Sequence, residues 1–172
     1  VLSLESLGDR AQIYINKELV GILYINESLS IKINAKSGDK LTILCENMGR
    51  ANFGPKMMRK KGIDGRCLLG GKVHFNWNVY TLPMDNLENV VYSDEIPEEV
   101  SRFYKGSFTV DKCADTFLYL DSFKKGFVVI NGFNLGRYWE IGPQKSLYVP
   151  SSVLKEGENE IVVFESDGIK NT

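Results

Sequence analysis

The residues of this sequence that could carry chemistry are few and scattered. His74 is the single histidine, and the three cysteines, Cys45, Cys67 and Cys113, lie far apart. No pair has the spacing of a zinc motif, so neither a metal site nor a cofactor is expected. An odd number of widely spaced cysteines argues against a disulfide framework and for a reducing compartment, hence a cytoplasmic location. Asp9, Asp39 and Asp64 read as scattered turn acids rather than a Ca²⁺ loop, which needs about six converging oxygens. That leaves two carboxylates at matching places in the chain, Glu46 and Glu165, the arginines Arg50 and Arg137, and the aromatics Tyr24, Trp77, Tyr138 and Trp139.

Composition narrows the class of partner. The chain is 43% hydrophobic and 25% charged with a net charge of −1. This is globular composition without the basic field that attracts nucleic acid or anionic lipid. No apolar run reaches the roughly 18 residues of a membrane span. The chain starts at Val1 without Met and reads as a piece of something longer, so the lack of a targeting signature says little about the parent. Asn26-Glu27-Ser28 fits a glycosylation sequon, a match short enough to arise by chance.

The elements that must position these groups are strands. Short runs of Ile, Val, Phe and Tyr are separated by Gly, Asn and Asp, the pattern of a sandwich or barrel. Strands are expected over Gln12–Ile15, Ser30–Ile33, Lys40–Cys45 and Lys72–Tyr80, then Gly106–Val110, Thr116–Leu120, Gly126–Ile130, Ser146–Val149 and Asn159–Glu165. Ala11, Ile13 and Ile15 alternate with Gln12, Tyr14 and Asn16, which predicts a sheet with one buried face. Val162, Val163 and Phe164 predict a more deeply buried strand.

An internal repeat organises the chain. Ile13-Tyr14-Ile15-Asn16 with Gly21 returns 115 residues later as Val128-Val129-Ile130-Asn131 with Gly136. Gly38, Glu46 and Gly49 return at an offset of 119 as Gly157, Glu165 and Gly168. Two related sandwiches in tandem account for this. Asn131-Gly132 predicts a type I′ hairpin, and Asn16-Lys17 a looser turn. The first unit spans 1–83, a surface connection 84–102, and the second unit 103–172. Only Val1–Leu7 precedes the first hairpin, so the first unit is expected to lack strands held upstream or to share a core with the second.

The segment from Gly126 through Asn131-Gly132-Phe133-Asn134-Leu135-Gly136-Arg137-Tyr138-Trp139 resembles a signature of family 35 β-galactosidases. The resemblance continues through Ile141-Gly142-Pro143-Gln144, Leu147-Tyr148-Val149-Pro150 and Leu154 to Ile161. In the first half it takes in Asp9-Arg10-Ala11-Gln12, Glu46-Asn47-Met48-Gly49-Arg50, Lys61-Gly62-Ile63 and Trp77, and later Asp115-Thr116-Phe117. It implies an all-β fold of two galactose-binding-like jelly rolls. It also implies a parent that hydrolyses terminal β-galactosides with retention, using two glutamates on a preceding (β/α)₈ barrel. Nothing in this sequence has the pattern of such a barrel, which needs about 250 residues. The chain is therefore expected to be non-catalytic, with the parent's barrel and its galactoside substrate as partners.

On that reading Tyr24, just after the Gly21 turn, is the candidate for the rim of the substrate entrance. Trp139, and with it Tyr138 and Trp77, can stack on a sugar face, although packing is the commoner use of such rings. Arg137 and Arg50 can meet sugar hydroxyls, although ion pairs or carbonyl contacts are commoner. Glu46 and Glu165 are not expected to form the pair about 5–5.5 Å apart that retention requires, because each belongs to its own sandwich. Two other roles stay open: an autonomous galactose-binding module, and a structural module that forms a homo-oligomer.

Overall fold

The computed structural model describes residues 1–95 and 100–169; Pro97, expected in the connecting segment, lies outside them. The chain divides into two compact units, Val1–Leu82 and Pro83–Thr172. Among the described residues there are no α-helices, only two 3-10 turns at Pro55–Met58 and Ser151–Val153. All strand pairs are antiparallel.

The first unit contains β1 (Leu2–Leu4), β2 (Arg10–Ile15), β3 (Glu18–Tyr24), β4 (Ser30–Ile31), β5 (Leu41–Glu46), β6 (Cys67–Leu69) and β7 (Lys72–Val73). They form two sheets, β4-β1-β6-β7 and β3-β2-β5. Leu2, Leu4 and Cys67 of the first sheet meet Ala11, Ile13 and Leu23 of the second in a core of the unit's own. Each large aliphatic side chain buried there contributes about 1.5–3 kcal/mol.

Two expectations for this unit are corrected. Every residue of β2 is buried, so Gln12 and Tyr14 do not face solvent opposite Ala11 and Ile13, and of the expected polar face only Asn16 is exposed. The strand read over Lys72–Tyr80 stops at Val73; Asn76 takes a left-handed φ of 61° and turns the backbone out of line.

The second unit contains β8 (Arg102–Val110), β9 (Thr116–Tyr119), β10 (Lys125–Ile130), β11 (Phe133–Trp139), β12 (Ser146–Val149) and β13 (Gly157–Glu165). Its sheets are β11-β10-β13-β8 and β12-β9. Val128, Ile130, Tyr138 and Val163 of the larger sheet pack with Leu147 and Val149 of the smaller. β13, with Val162 and Val163 both buried, lies inside the larger sheet as its pattern requires.

The repeat is a structural one. β3-β2-β5 and β11-β10-β13 have the same order and the same bulge: pairing slips between Ile13 and Tyr14 in one and between Val128 and Val129 in the other. The hairpin turns also match. Asn16 and Lys17 take φ of 48° and 77°, and Asn131 and Gly132 take 48° and 81°, so the first turn is not the looser one. Asn16 holds its turn with the same two side-chain bonds that Asn131 makes to Asn159 and Glu160 in the second unit. It donates to Asp39 Oδ1 at 2.7 Å and accepts from Lys40 N at 2.8 Å. Asn16→Ala is expected to lose on the order of 1 kcal/mol. A urea unfolding midpoint equal to that of the wild type would show that these two bonds do not hold the turn.

Candidate functional site

In the first unit the segments quoted for the resemblance, Trp77 apart, converge on Asp9 and Arg10. Arg10, 1% exposed, sits on β2 directly between Tyr24 on β3 and Glu46 on β5. Its Nε donates to Tyr24 Oη at 3.2 Å, its Nη1 to Glu46 Oε2 at 3.2 Å, and its guanidinium lies 5.6 Å from the centre of the Tyr24 ring. A buried cation placed between a carboxylate and an aromatic face is compensated on both sides.

Asp9 next door is a buried hub, not the turn acid its sequence context suggested. It accepts hydrogen bonds from Met48 N at 2.9 Å, from Lys61 Nζ and from Arg59. Lys61 also donates to the Gly49 carbonyl, Arg50 donates to the Met57 carbonyl, and Gly8 pairs with Gly62. The Asp9, Glu46–Arg50 and Lys61–Ile63 motifs are thus three parts of one ionic joint. Burial alone would raise the Asp9 pKa, but the hydrogen bonds from Lys61, Met48 and Arg59 and the charge of Lys61 outweigh it and hold the carboxyl below its ordinary range.

The second unit repeats the cation–aromatic pair. Lys125 on β10 is the register equivalent of Arg10, and Trp139 on β11 that of Tyr24, each 115 residues on. The Lys125 ammonium lies 5.0 Å from the centre of the Trp139 ring system. The rim candidate Tyr24 and the sugar-contact candidate Trp139 therefore occupy one position of the repeat, and in each a cation from the central strand already covers the ring. Trp139 also lines a cleft of about 160 Å³ with Asp121, Phe123, Glu140 and Lys145. Arg137 does not reach that cleft. It is exposed on edge strand β11 opposite Phe127. Trp77 is partly exposed and donates its Nε1 to the His74 carbonyl at 3.0 Å.

Glu46 and Glu165 are not equivalent, which corrects the reading from sequence. Ile13 pairs with Ile43 while Val128 pairs with Val163, an offset of 120 rather than 119 along these strands. The counterpart of Glu165 is therefore Cys45, and that of Glu46 is Ser166. Because side chains alternate, the one-residue difference puts the two glutamates on opposite faces of their sheets. Glu165 is wholly buried and accepts from Lys124 N, Lys125 N, Asp167 N and Tyr138 Oη. The one Tyr138 hydroxyl proton lies between Glu165 Oε2 at 2.9 Å and the Phe164 carbonyl at 3.0 Å, and burial together with the neighbouring Glu165 pushes its phenol pKa far up. Glu46, by contrast, is partly exposed and paired with Arg10. Sequence reasoning missed this Gly126–Tyr138–Glu165 layer; the one available signal was an acid directly after the apolar run Ile161–Phe164.

Comparison with known proteins accounts for both units. Residues 1–83 match the domain family described as "Beta-galactosidase, first all-beta domain", and residues 101–159 that described as "Beta-galactosidase, galactose-binding domain". Similar proteins include Beta-galactosidase 1 of Dictyostelium discoideum (34% identical, covering 96% of this chain) and Beta-galactosidase of Bos taurus (35%, covering 94%). Beta-galactosidase-1-like protein 2 of Homo sapiens is 36% identical over 91% of the chain. This chain spans only 28%, 28% and 26% of their respective lengths. It belongs to the β-galactosidase family, whose first all-β domain and galactose-binding domain it carries in tandem.

Proposed function

We propose that this chain is the non-catalytic accessory region of a retaining β-galactosidase of glycoside hydrolase family 35. On this reading its two units pack on a (β/α)₈ barrel and stabilise it, the parent hydrolyses terminal β-galactosides, and Tyr24 lies at the rim of the substrate entrance. The observation that carries the reading is the tandem match of two accessory domains in a chain spanning 28% of a relative named a β-galactosidase. The structure supports it chemically, since Glu46 is tied to Arg10 and Glu165 is enclosed by donors.

The test is hydrolysis of lactose and of a nitrophenyl β-galactoside by the chain and by the full-length protein. Activity is expected only in the full-length protein. Tyr24→Phe there is expected to lower kcat/KM for lactose about 3- to 10-fold, the size of one lost hydrogen bond. Unchanged lactose hydrolysis in Tyr24→Phe and Tyr24→Ala would remove Tyr24 from the rim, and a full-length protein inert on β-galactosides would overturn the reading.

The cleft beside Trp139, with Asp121, Glu140 and Lys145 around it, favours a second reading in which the second unit holds galactose unaided. An NMR titration with galactose and lactose separates the two. Saturable shifts clustered at residues 120–123 and 138–145 support the autonomous module, and their absence leaves the accessory role.

A further inference from the structure

The segment after β7 does not match its surroundings. From His74 to Met84 there is no charged side chain, in a chain that is 25% charged. Apolar residues alternate with polar ones at Val73, Phe75, Trp77 and Val79, as in a strand with one buried face. Yet Phe75 is 71% exposed, Val79 84% and Tyr80 81%, and Leu82 is also exposed. Single exposed apolar residues need no explanation, but a run of large ones marks a surface that something covers. Freedom from charge together with Phe, Trp and Tyr is the composition of an interface centre.

We infer that residues 75–82 are a docking strap, and that its occupant is the outer helical surface of the catalytic barrel assigned under the proposed function, on which this inference rests. Two observations favour that occupant. The chain spans only 28% of a β-galactosidase relative, so most of what such a protein contains lies elsewhere. The strap is also badly made for edge-to-edge pairing with a second copy. Asn76 at φ 61° breaks its extended backbone and Pro83 lacks an N–H, so the contact is made by side chains rather than by a shared ladder.

The test is hydrogen exchange on the full-length protein and on the 172-residue chain, with the triple variant Phe75→Ser, Val79→Ser, Tyr80→Ser in both. The strap amides are expected to exchange at least ~10-fold more slowly in the full-length protein. The variant is expected to remove that protection and lower the full-length protein's unfolding midpoint, while leaving the midpoint of the chain alone unchanged. Equal exchange in the two wild-type proteins would overturn the inference. So would a variant that destabilises the chain alone, which would show the strap packing within its own unit. A wild-type chain that dimerises through these residues, beside a full-length protein indifferent to the variant, would overturn it in favour of a second copy. Failure of the parent reading shows separately, as a full-length protein that protects the strap but does not hydrolyse β-galactosides.

Discussion

Gly126→Ala is expected to unfold the second unit. Gly126 lies in β10 opposite Glu165 of β13 and Tyr138 of β11. A Cβ built there would stand 1.7 Å from the Phe164 carbonyl oxygen and 2.8 Å from Tyr138 Oη. The first obstacle is the backbone of the neighbouring central strand, so no side-chain rotation relieves it. The strands must separate, and the ladder on which the unit's core is built goes with them. Ordinary overpacking costs about 1–3 kcal/mol. This substitution is expected to cost about 4 kcal/mol or more, a large part of a domain's stability. The first unit shows why glycine is required here. At the equivalent layer it has Ala11, Leu23 and Cys45, an apolar set with room for a Cβ. The second unit places Tyr138 and Glu165 there, and the phenol oxygen takes the space of the missing methyl group. Gly106→Ala on β8 is the control, because its Cβ would meet only Ile161 Cγ2, at an ordinary 3.9 Å. The check is urea unfolding followed by second-unit NMR resonances. A Gly126→Ala protein within 1 kcal/mol of the Gly106→Ala protein would sink the argument.

The strand framework of both units was legible because hydrophobic alternation and turn residues are local signals. The repeat was legible wherever residue identity was kept, as at Asn16 and Asn131 or Gly21 and Gly136. It was hidden where only chemistry was kept: Arg10 with Tyr24 and Lys125 with Trp139 are the same pair at the same register in different residues. The two glutamates show the opposite failure. Their flanking glycines invite an offset of 119, while the ladder runs at 120, and a slip of one residue exchanges the core face for the other. β1 and β6 are three residues each, too short to show a period. Lys72–Tyr80 has a genuine period but, past Val73, lacks a paired strand among the described residues. Alternation reports what a segment would do beside a partner and says nothing about where the partner is.

Glu165→Gln tests the same layer electrostatically. The four groups pointing at this carboxyl are all donors: Lys124 N at 2.8 Å, Lys125 N at 3.2 Å, Asp167 N at 2.7 Å and Tyr138 Oη at 2.9 Å. Glutamine is almost isosteric but turns one acceptor into an NH₂ facing other N–H groups, so at least one buried donor loses its partner. The expected loss is about 2–4 kcal/mol near neutral pH. The pH profile separates this from a packing defect. Burial raises the Glu165 pKa above its ordinary value, and the backbone N–H groups and Tyr138 only partly offset it. The folded state therefore holds this proton more tightly than the unfolded chain does. Its contribution is fully present below the unfolded pKa of about 4.3 and is lost as pH rises through the higher folded value. Glu5, Asp9, Asp39 and Asp115 are all shifted downward, so they act with the opposite sign and at lower pH, on the acid side of that window. Wild-type stability should fall as pH rises from about 4.5, and in the Gln variant that fall should be missing. Parallel profiles for the two proteins would mean that the cage of donors holds Glu165 ionised throughout the range, and that the hydrogen bonds rather than burial set its charge.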